Sequence, residues 1–394
     1  MPVILETILA GILASTSLTH TAYIWQRAWN PSLHHAITNA APHFDGFTIL
    51  VAEISTAETV HVFPHRDILN ATGKPITIAL RVGTGATASP EFAAALLKRL
   101  PAVELHIDHD SPASKLESYR QWLELIRAKV APTRLTITAL PAWLNQSSFS
   151  NLVASTDGFV LQVHSFQRPR AIADAATLCD PTIAREAVAR ADRLGIPFQV
   201  ALPTYGYTIA FDPAGQYLGI SAEGPARNWP ANSRLRTLRS NPVELAALVR
   251  EWSTHRPRNL TGIIWYRLPV ETDQLNWPLS TLLAVRNGQT PRPNVVVEQT
   301  RPAPDLVELH LHNTGNADAV LPVQITVRWR AAQLLAGDAL AGYDRQTVES
   351  NQWRFVGTTP PDREIIAPGQ RRTIGWLRFH TSEEVPIETN LSGP

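Results

Sequence analysis

The chain has 394 residues, enough for two or three domains at roughly 150 residues each, although one α/β barrel commonly takes ~250. Hydrophobic residues make up 44% and charged residues 18%, which supplies a core and excludes disorder throughout. Lys and Arg number 35 against 34 Asp and Glu, a formal charge of +1, so no broad field exists to hold a nucleic-acid backbone or an anionic membrane, and nucleic acid is not an expected partner.

At the N-terminus, Pro2 to Leu18 is apolar and rich in small residues, like the central part of an export signal. Glu6 interrupts it and the first basic residue is Arg27, so a first helix and a clipped export signal fit equally. No run of ~18 uncharged apolar residues occurs, so no membrane-spanning helix is expected. Cys179 is the one cysteine. It cannot form an internal disulfide or a Cys-rich zinc site, and reads as a small buried apolar residue.

From Ala22 to about Asn287, short β-rich runs alternate with helical patterns, the signature of βα units on a parallel sheet. The expected strands are Ala22–Trp29, Phe47–Ile54, Ile76–Val82, Val103–Asp110, Leu135–Leu140, Gly158–Ser165, Phe198–Pro203 and Gly262–Leu268. Helical spacing marks Pro90–Leu100, Ser114–Lys129, Pro181–Leu194 and Asn241–Ser253. Eight such units predict a closed (β/α)8 TIM-like barrel. The alternative, an open doubly wound sheet, needs a glycine-rich phosphate turn after an early strand, and none is present. Between Thr204 and Ser240 the pattern loses its period but carries Tyr205, Tyr207, Phe211, Tyr217 and Trp229, which predicts a long aromatic loop capping the mouth of the barrel.

The pattern changes after Asn287. A Pro-, Gly-, Arg- and Thr-rich stretch (288–304) reads as a linker, and period-two alternation in Leu306–His312, Val323–Arg330 and Arg372–Phe379 predicts a small all-β sandwich of immunoglobulin or fibronectin type over 305–380. Residues 381–394 read as a frayed tail, and 1–287 as the barrel domain.

The fourth expected strand, Val103-Glu104-Leu105-His106-Ile107-Asp108-His109-Asp110, alternates apolar and polar residues. Its apolar side must face the helices, which turns Glu104, His106, Asp108 and Asp110 to the barrel axis. Asp108 and Asp110 then sit at the C-terminal end, where barrels place catalytic groups, and two neighbouring carboxylates shift each other's pKa towards acid catalysis. A structural alternative has one of them capping the next helix, a role Asp110-Ser111-Pro112 suits.

The same parity puts Trp25, Arg27, Glu53, Arg81, Thr138, Gln162, His164, Gln199, Tyr205, Trp265 and Arg267 on the axis. Aromatic faces bind sugar rings and charged groups take hydroxyls, so the mouth suits a carbohydrate. Glu53 is the carboxylate across the mouth; Trp25, Arg27, Arg81, His106, His164, Tyr205, Tyr207, Trp265 and Arg267 are substrate-binding candidates. An Asp-x-Asp pair with His106 or His164 also invites a hard metal ion, but no His-x-His or His-Glu-x-x-His spacing supports one, and neither metal nor cofactor is expected.

His106-Ile107-Asp108-His109-Asp110 with Ser114-Lys115-Leu116 and Tyr119, then Leu135 to Leu144, resembles the bacterial family called domain of unknown function 3142. Ile264-Trp265-Tyr266-Arg267-Leu268-Pro269 with Asp273 and Trp277 fits the same family and adds Asp273 to the binding candidates. The family is similar to glycoside hydrolase barrels of the chitinase type, which carry Asp-x-Asp-x-Glu on the fourth strand. If Asp108 and Asp110 match the two aspartates, Pro112 stands where the glutamate belongs; if Asp110 matches the glutamate, His106 replaces the first aspartate. The resemblance implies a glycoside hydrolase-like protein of the bacterial envelope or exterior acting on a polysaccharide, without implying substrate-assisted chemistry. A two-carboxylate mechanism would pair Asp108 or Asp110 with Glu53, a separation near ~5.5 Å giving retention and ~6.5–9.5 Å inversion. The alternative is a non-catalytic glycan-binding protein on a degenerate barrel. Protein partners leave no signature in the sequence.

Overall fold

The computed structural model describes residues 17–223, 227–330, 332–358, 365–381 and 383–392. The choice between a first helix and an export signal before Leu18 falls almost entirely outside them.

Four helices begin on one local signal, a side-chain acceptor followed by proline. Asn30, Ser89, Asp180 and Asn241 each accept a bond from the backbone of the turn that follows, and Pro31, Pro90, Pro181 and Pro242 occupy the first helical position, where a missing N–H is no loss. In chain order the barrel runs β1 (Thr19–Ile24), α1 (Pro31–Ala40), β2 (Gly46–Ile54), a short β3 (Thr59–His61), α2 (Arg66–Ala71), β4 (Ile76–Val82), α3 (Pro90–Leu97) and β5 (Glu104–His109). It continues with α4 (Leu116–Val130), β6 (Arg134–Ala139), α5 (Ser147–Ala154), β7 (Phe159–Gln162), α6 (Pro181–Asp192) and β8 (Phe198–Pro203). An insert of β9 (Gly206–Phe211), β10 (Tyr217–Ser221) and β11 (Arg234–Arg239) precedes α7 (Pro242–Thr254), β12 (Leu260–Tyr266) and α8 (Leu279–Arg286).

Parallel pairing runs β1, β12, β8, β7, β6, β5, β4, β2 and returns from β2 to β1, so eight strands close. The main core lies between strands and helices: Leu105, Ile107, Ile137, Ala139, Val200 and Leu202 meet the apolar stripe of α4 (Leu116, Tyr119, Leu123, Ile126, Val130) and its neighbours. A second, small cluster of Tyr23, Val160, Ala201 and Ile264 fills the axis. Cys179 is buried, and burial pushes its thiol up to about 12.

Three expectations need correction. β1 lies earlier than Ala22–Trp29 and ends before Trp25, because its register sets Thr19 against Gly262, where the absent side chain admits a close approach of the two strands. The stretch from Thr204 to Ser240 is not an aperiodic loop but a three-stranded antiparallel sheet ordered β10-β9-β11, which buries Ile209, Phe211 and Leu238 against Leu178 and Tyr205. Finally, strands occupy both the expected linker and the expected tail of the C-terminal half.

That half contains β13 (Val295–Ala303), β14 (Leu306–Asn313), β15 (Ala319–Val320), β16 (Gln324–Trp329), β17 (Leu334–Ala339), β18 (Tyr343–Glu349), β19 (Gln352–Gly357), β20 (Ile365–Ile366), β21 (Arg371–Phe379) and β22 (Ile387–Ser392). Sheets ordered β13-β14-β21-β17 and β18-β19-β16-β22 form a sandwich around Leu309, Ile325, Trp329, Trp353, Phe355 and Phe379. β13 lies inside 288–304 and β22 inside 381–394, because Val295, Val297, Ile387 and Leu391 have apolar area to bury on that core. Among the described residues no helix is long and apolar enough to cross a membrane.

Candidate functional site

Because Leu105 and Ile107 of β5 belong to the outer core, Glu104, His106 and Asp108 project into the barrel. Parallel register aligns Glu53 of β2 with Arg81 of β4, and Arg81 with Asp108, so three charged residues form one row near the C-terminal ends of the strands. Arg81 spans the two aspartates, its Nη1 donating to Asp108 Oδ2 at 2.8 Å and its Nη2 to Asp110 Oδ2 at 2.6 Å. The Asp108 side chain is 11% exposed and that of Asp110 39%, so the two carboxyls occupy unlike environments. Burial, the largest influence, raises the pKa of Asp108 above the ordinary aspartate value; Arg81 opposes it and Asp110 reinforces it. Burial alone would lower the Arg81 pKa, but the two carboxylates outweigh it and hold the guanidinium firmly charged.

Asp110 does not cap the following helix, since the residue before α4 is Lys115 and makes no side-chain cap. Glu53 accepts two bonds from Arg27, at 2.9 Å from Nε and 2.6 Å from Nη2, with Arg27 itself largely exposed. Arg27 and Trp25 therefore reach the mouth from the segment after β1 rather than from the strand.

An aromatic wall faces these charges. Trp25 packs against Tyr266 at 5.5 Å between ring centroids and edge-on to Tyr23 at 5.3 Å; Tyr266 stacks on His164 at 5.6 Å. The wall continues through Tyr205 and Tyr207, 5.3 Å apart, to Phe166 and on to Tyr217 of the insert. Burial raises the phenol pKa values of Tyr23 and Tyr266, and in both the Asp108 charge is the next largest cause. Arg267 donates to Asp273 Oδ1 at 2.7 Å, and both are mostly buried in the segment that follows β12.

The eighth strand reverses the expected parity. Trp265 is fully buried on the helix side, its Nε1 donating to His20 Nδ1 at 3.3 Å, while Ile264 and Tyr266 point to the axis. Trp265 is therefore packing and not a binding platform. Ile263-Ile264-Trp265-Tyr266 has no polar member to reveal its faces, as in any strand buried on both sides. His106 and His164 do face the axis but are 1% and 5% exposed, and burial lowers each to about 3, so both are neutral rings within the barrel. His164 Nδ1 lies 3.2 Å from the Tyr205 hydroxyl.

Sequence reasoning missed Tyr23 and Tyr266. Tyr23 shares the parity of Trp25 and was legible on that ground. It also missed Glu223, whose carboxylate accepts backbone N–H bonds from Gln274, Leu275 and Asn276 and so ties the insert to the segment after β12. Among the described residues no group of three His, Cys, Asp or Glu side chains is placed to hold a metal ion. A cavity of about 580 Å³ lies at the opposite end from the aspartates, around the N-terminal ends of the strands, lined by Thr21, Thr77, Glu104, His106, Thr136 and Gln199 among others.

Residues 93–271 match the family model for the domain of unknown function DUF3142, and residues 296–380 match that for DUF8456, also of unknown function. No curated protein matches the chain. Among solved structures, the spore cortex-lytic enzyme SleL of Bacillus cereus is similar in fold, with 11% identity and a TM-score of 0.51 over 69% of this chain and 74% of that one. A chitinase from Chromobacterium violaceum matches with 14% identity and a TM-score of 0.49, covering 69% and 99% of the two chains. Residues 93–271 thus match the DUF3142 model, and the barrel is similar in fold to SleL.

Proposed function

On the premise of a DUF3142 barrel, we propose that the chain is a carbohydrate-active, glycoside hydrolase-like enzyme acting on a bacterial envelope or extracellular polysaccharide. The observation that carries this reading is Asp108: a buried carboxyl with a raised pKa, joined through Arg81 to the more exposed Asp110, in a barrel mouth that also carries the packed rings of Tyr23, Trp25 and Tyr266. A carboxyl whose pKa burial raises is suited to give a proton as a general acid, and aromatic faces at the mouth hold a sugar ring by apolar contact. Asp108 gives its proton to the glycosidic oxygen as the bond from that oxygen to the anomeric carbon breaks. Asp110 or Glu53, ion-paired with Arg81 or Arg27, attacks the anomeric carbon or takes a proton from the attacking water. Trp25, Arg27, Arg81, Tyr207, Arg267 and Asp273 serve the rest of the sugar, and the chemistry draws on side chains alone.

The Arg81 fork favours a second reading, a glycan-binding protein without turnover, because one guanidinium engages both aspartates at once. A reducing-end release assay on a panel of bacterial polysaccharides, run with wild type, Asp108→Asn and Asp110→Asn beside glycan-array binding, separates the two. The enzyme reading expects wild-type release that falls by about 10²–10⁴-fold in Asp108→Asn while glycan binding persists. Binding by the wild type without release from any member of the panel overturns it in favour of the binder.

A further inference from the structure

Glu104, Thr136 and His106 lie below the mouth, yet hydrogen bonds connect them to it. The Thr136 hydroxyl donates to Glu104 Oε1 at 2.7 Å and so has only lone pairs left for His106 Nδ1, 3.0 Å away. Nδ1 therefore carries the ring proton and Nε2 is the acceptor, facing the Tyr23 hydroxyl at 3.1 Å and Thr138 Oγ1 at 3.0 Å. Asp108 and Thr138 follow His106 and Thr136 as the next inward-facing residues on the neighbouring strands β5 and β6, both buried, which carries the line from Glu104 to Asp108. At one end Glu104 and His106 border the cavity of about 580 Å³; at the other Asp108 faces the mouth. Between them the line crosses core, where a polar group without partners is costly, and each hydroxyl and the imidazole can both give and take a proton.

We infer that Glu104, Thr136, His106 and Thr138 form a proton line through which Asp108 exchanges its proton with the cavity at the far end of the barrel while the mouth is occupied. One passage balances as follows. A proton from water binds the Glu104 carboxylate and moves to Thr136, whose own proton moves to His106 Nδ1. The proton on Nε2 moves to Thr138, whose own proton moves to the Asp108 carboxylate. One proton has entered, Asp108 has gained one, and no charge remains on the line. The bonds of the structure, with Thr136 donating to Glu104 and Nδ1–H donating to Thr136, are those after such a passage. The charged and titratable groups facing the two ends are Arg134 and Asp157 at Glu104, and Arg81, Asp110, Tyr23 and Tyr266 at Asp108.

The line gives the proposed acid a role for its proton, but its test needs no turnover, so failure of the glycosidase reading and failure of the line are separate results. In Glu104→Gln, Arg134, which sits 3.3 Å from Glu104 Oε2, keeps the amide oxygen and leaves the NH₂ facing Thr136. Thr136 must then donate to Nδ1, Nε2 must take the ring proton, and Thr138 must donate to Asp108. ¹⁵N NMR of His106 should show the Nδ1–H tautomer in the wild type and the Nε2–H tautomer in Glu104→Gln, with the Asp108 titration moved down in the variant. The same tautomer in both folded proteins, or an unmoved Asp108, overturns the inference. Should Glu104→Gln not fold, Thr136→Val serves instead. It removes the acceptor of Nδ1, so both tautomers should be populated, and an unchanged single tautomer overturns the line.

Discussion

A single guanidinium joins two carboxyls at the mouth. Asp108 has a folded-state pKa above its unfolded value, so it favours the folded protein below the unfolded value and costs stability as pH rises through the folded pKa. Arg81 limits that cost by lowering the Asp108 pKa against burial. In Arg81→Gln the folded pKa should climb further, and the loss of stability at pH 7 should grow. Breaking a fully buried pair costs roughly 3–5 kcal/mol, and since Arg81 is 31% exposed the expected loss is at or below the lower end. Urea unfolding at pH 7 checks this, and Asp108→Asn added to Arg81→Gln should recover most of the loss, because the uncompensated charge is gone. No recovery would mean that Arg81 stabilises through other contacts.

The sequence exposed this row because β5 alternates: Leu105 and Ile107 mark one face, and the polar residues fall on the other. β12 conceals its faces, since Ile263, Ile264, Trp265 and Tyr266 are all fit for burial and only the register with β1 and β8 assigns them. The insert was hidden for a related reason. β11 leaves Leu235 exposed and buries Leu238, so its pattern has no clean period, and its sheet exists through pairing with β9. Three helices were legible from their first residue, because Ser89-Pro90, Asp180-Pro181 and Asn241-Pro242 are local instructions. Closure of the barrel was legible from the number of units, but its seam depends on Gly262. A Cβ there would stand 2.1 Å from Thr19 Oγ1 and 2.6 Å from the Thr19 carbonyl oxygen, so Gly262→Ala must push β1 and β12 apart. The expected cost is about 1–3 kcal/mol, read as a lower urea midpoint with an unchanged slope. Gly195→Ala is a control of a different kind: nothing lies within 4 Å of its Cβ, and only its positive φ of 72° resists the change.

Across the whole molecule, the barrel stores its acid sensitivity in three buried histidines. Burial lowers His20 to about 4 and both His106 and His164 to about 3, so each stays neutral in the fold while the unfolded chain protonates it near 6.5. For a group whose folded pKa lies below its unfolded value, the unfolded state binds more protons between the two, and stability falls as pH drops through that window. At pH 5 each histidine lies about 1.5 units below the unfolded value, a cost of about 2 kcal/mol apiece and roughly 6 kcal/mol together. That is on the order of the whole stability of a typical domain. Asp108 and Glu104, whose pKa values are raised, work the other way and return part of the loss as they protonate. The sandwich has its own core, and none of these three rings lies in it. Lowering the pH from 7 to 5 should therefore lower the barrel transition by more than that of the sandwich in calorimetry. His106→Gln should narrow the gap by removing one of the three terms. Barrel and sandwich transitions that fall together from pH 7 to 5 would show that the buried rings are solvated or already protonated, contrary to the burial seen for His20, His106 and His164.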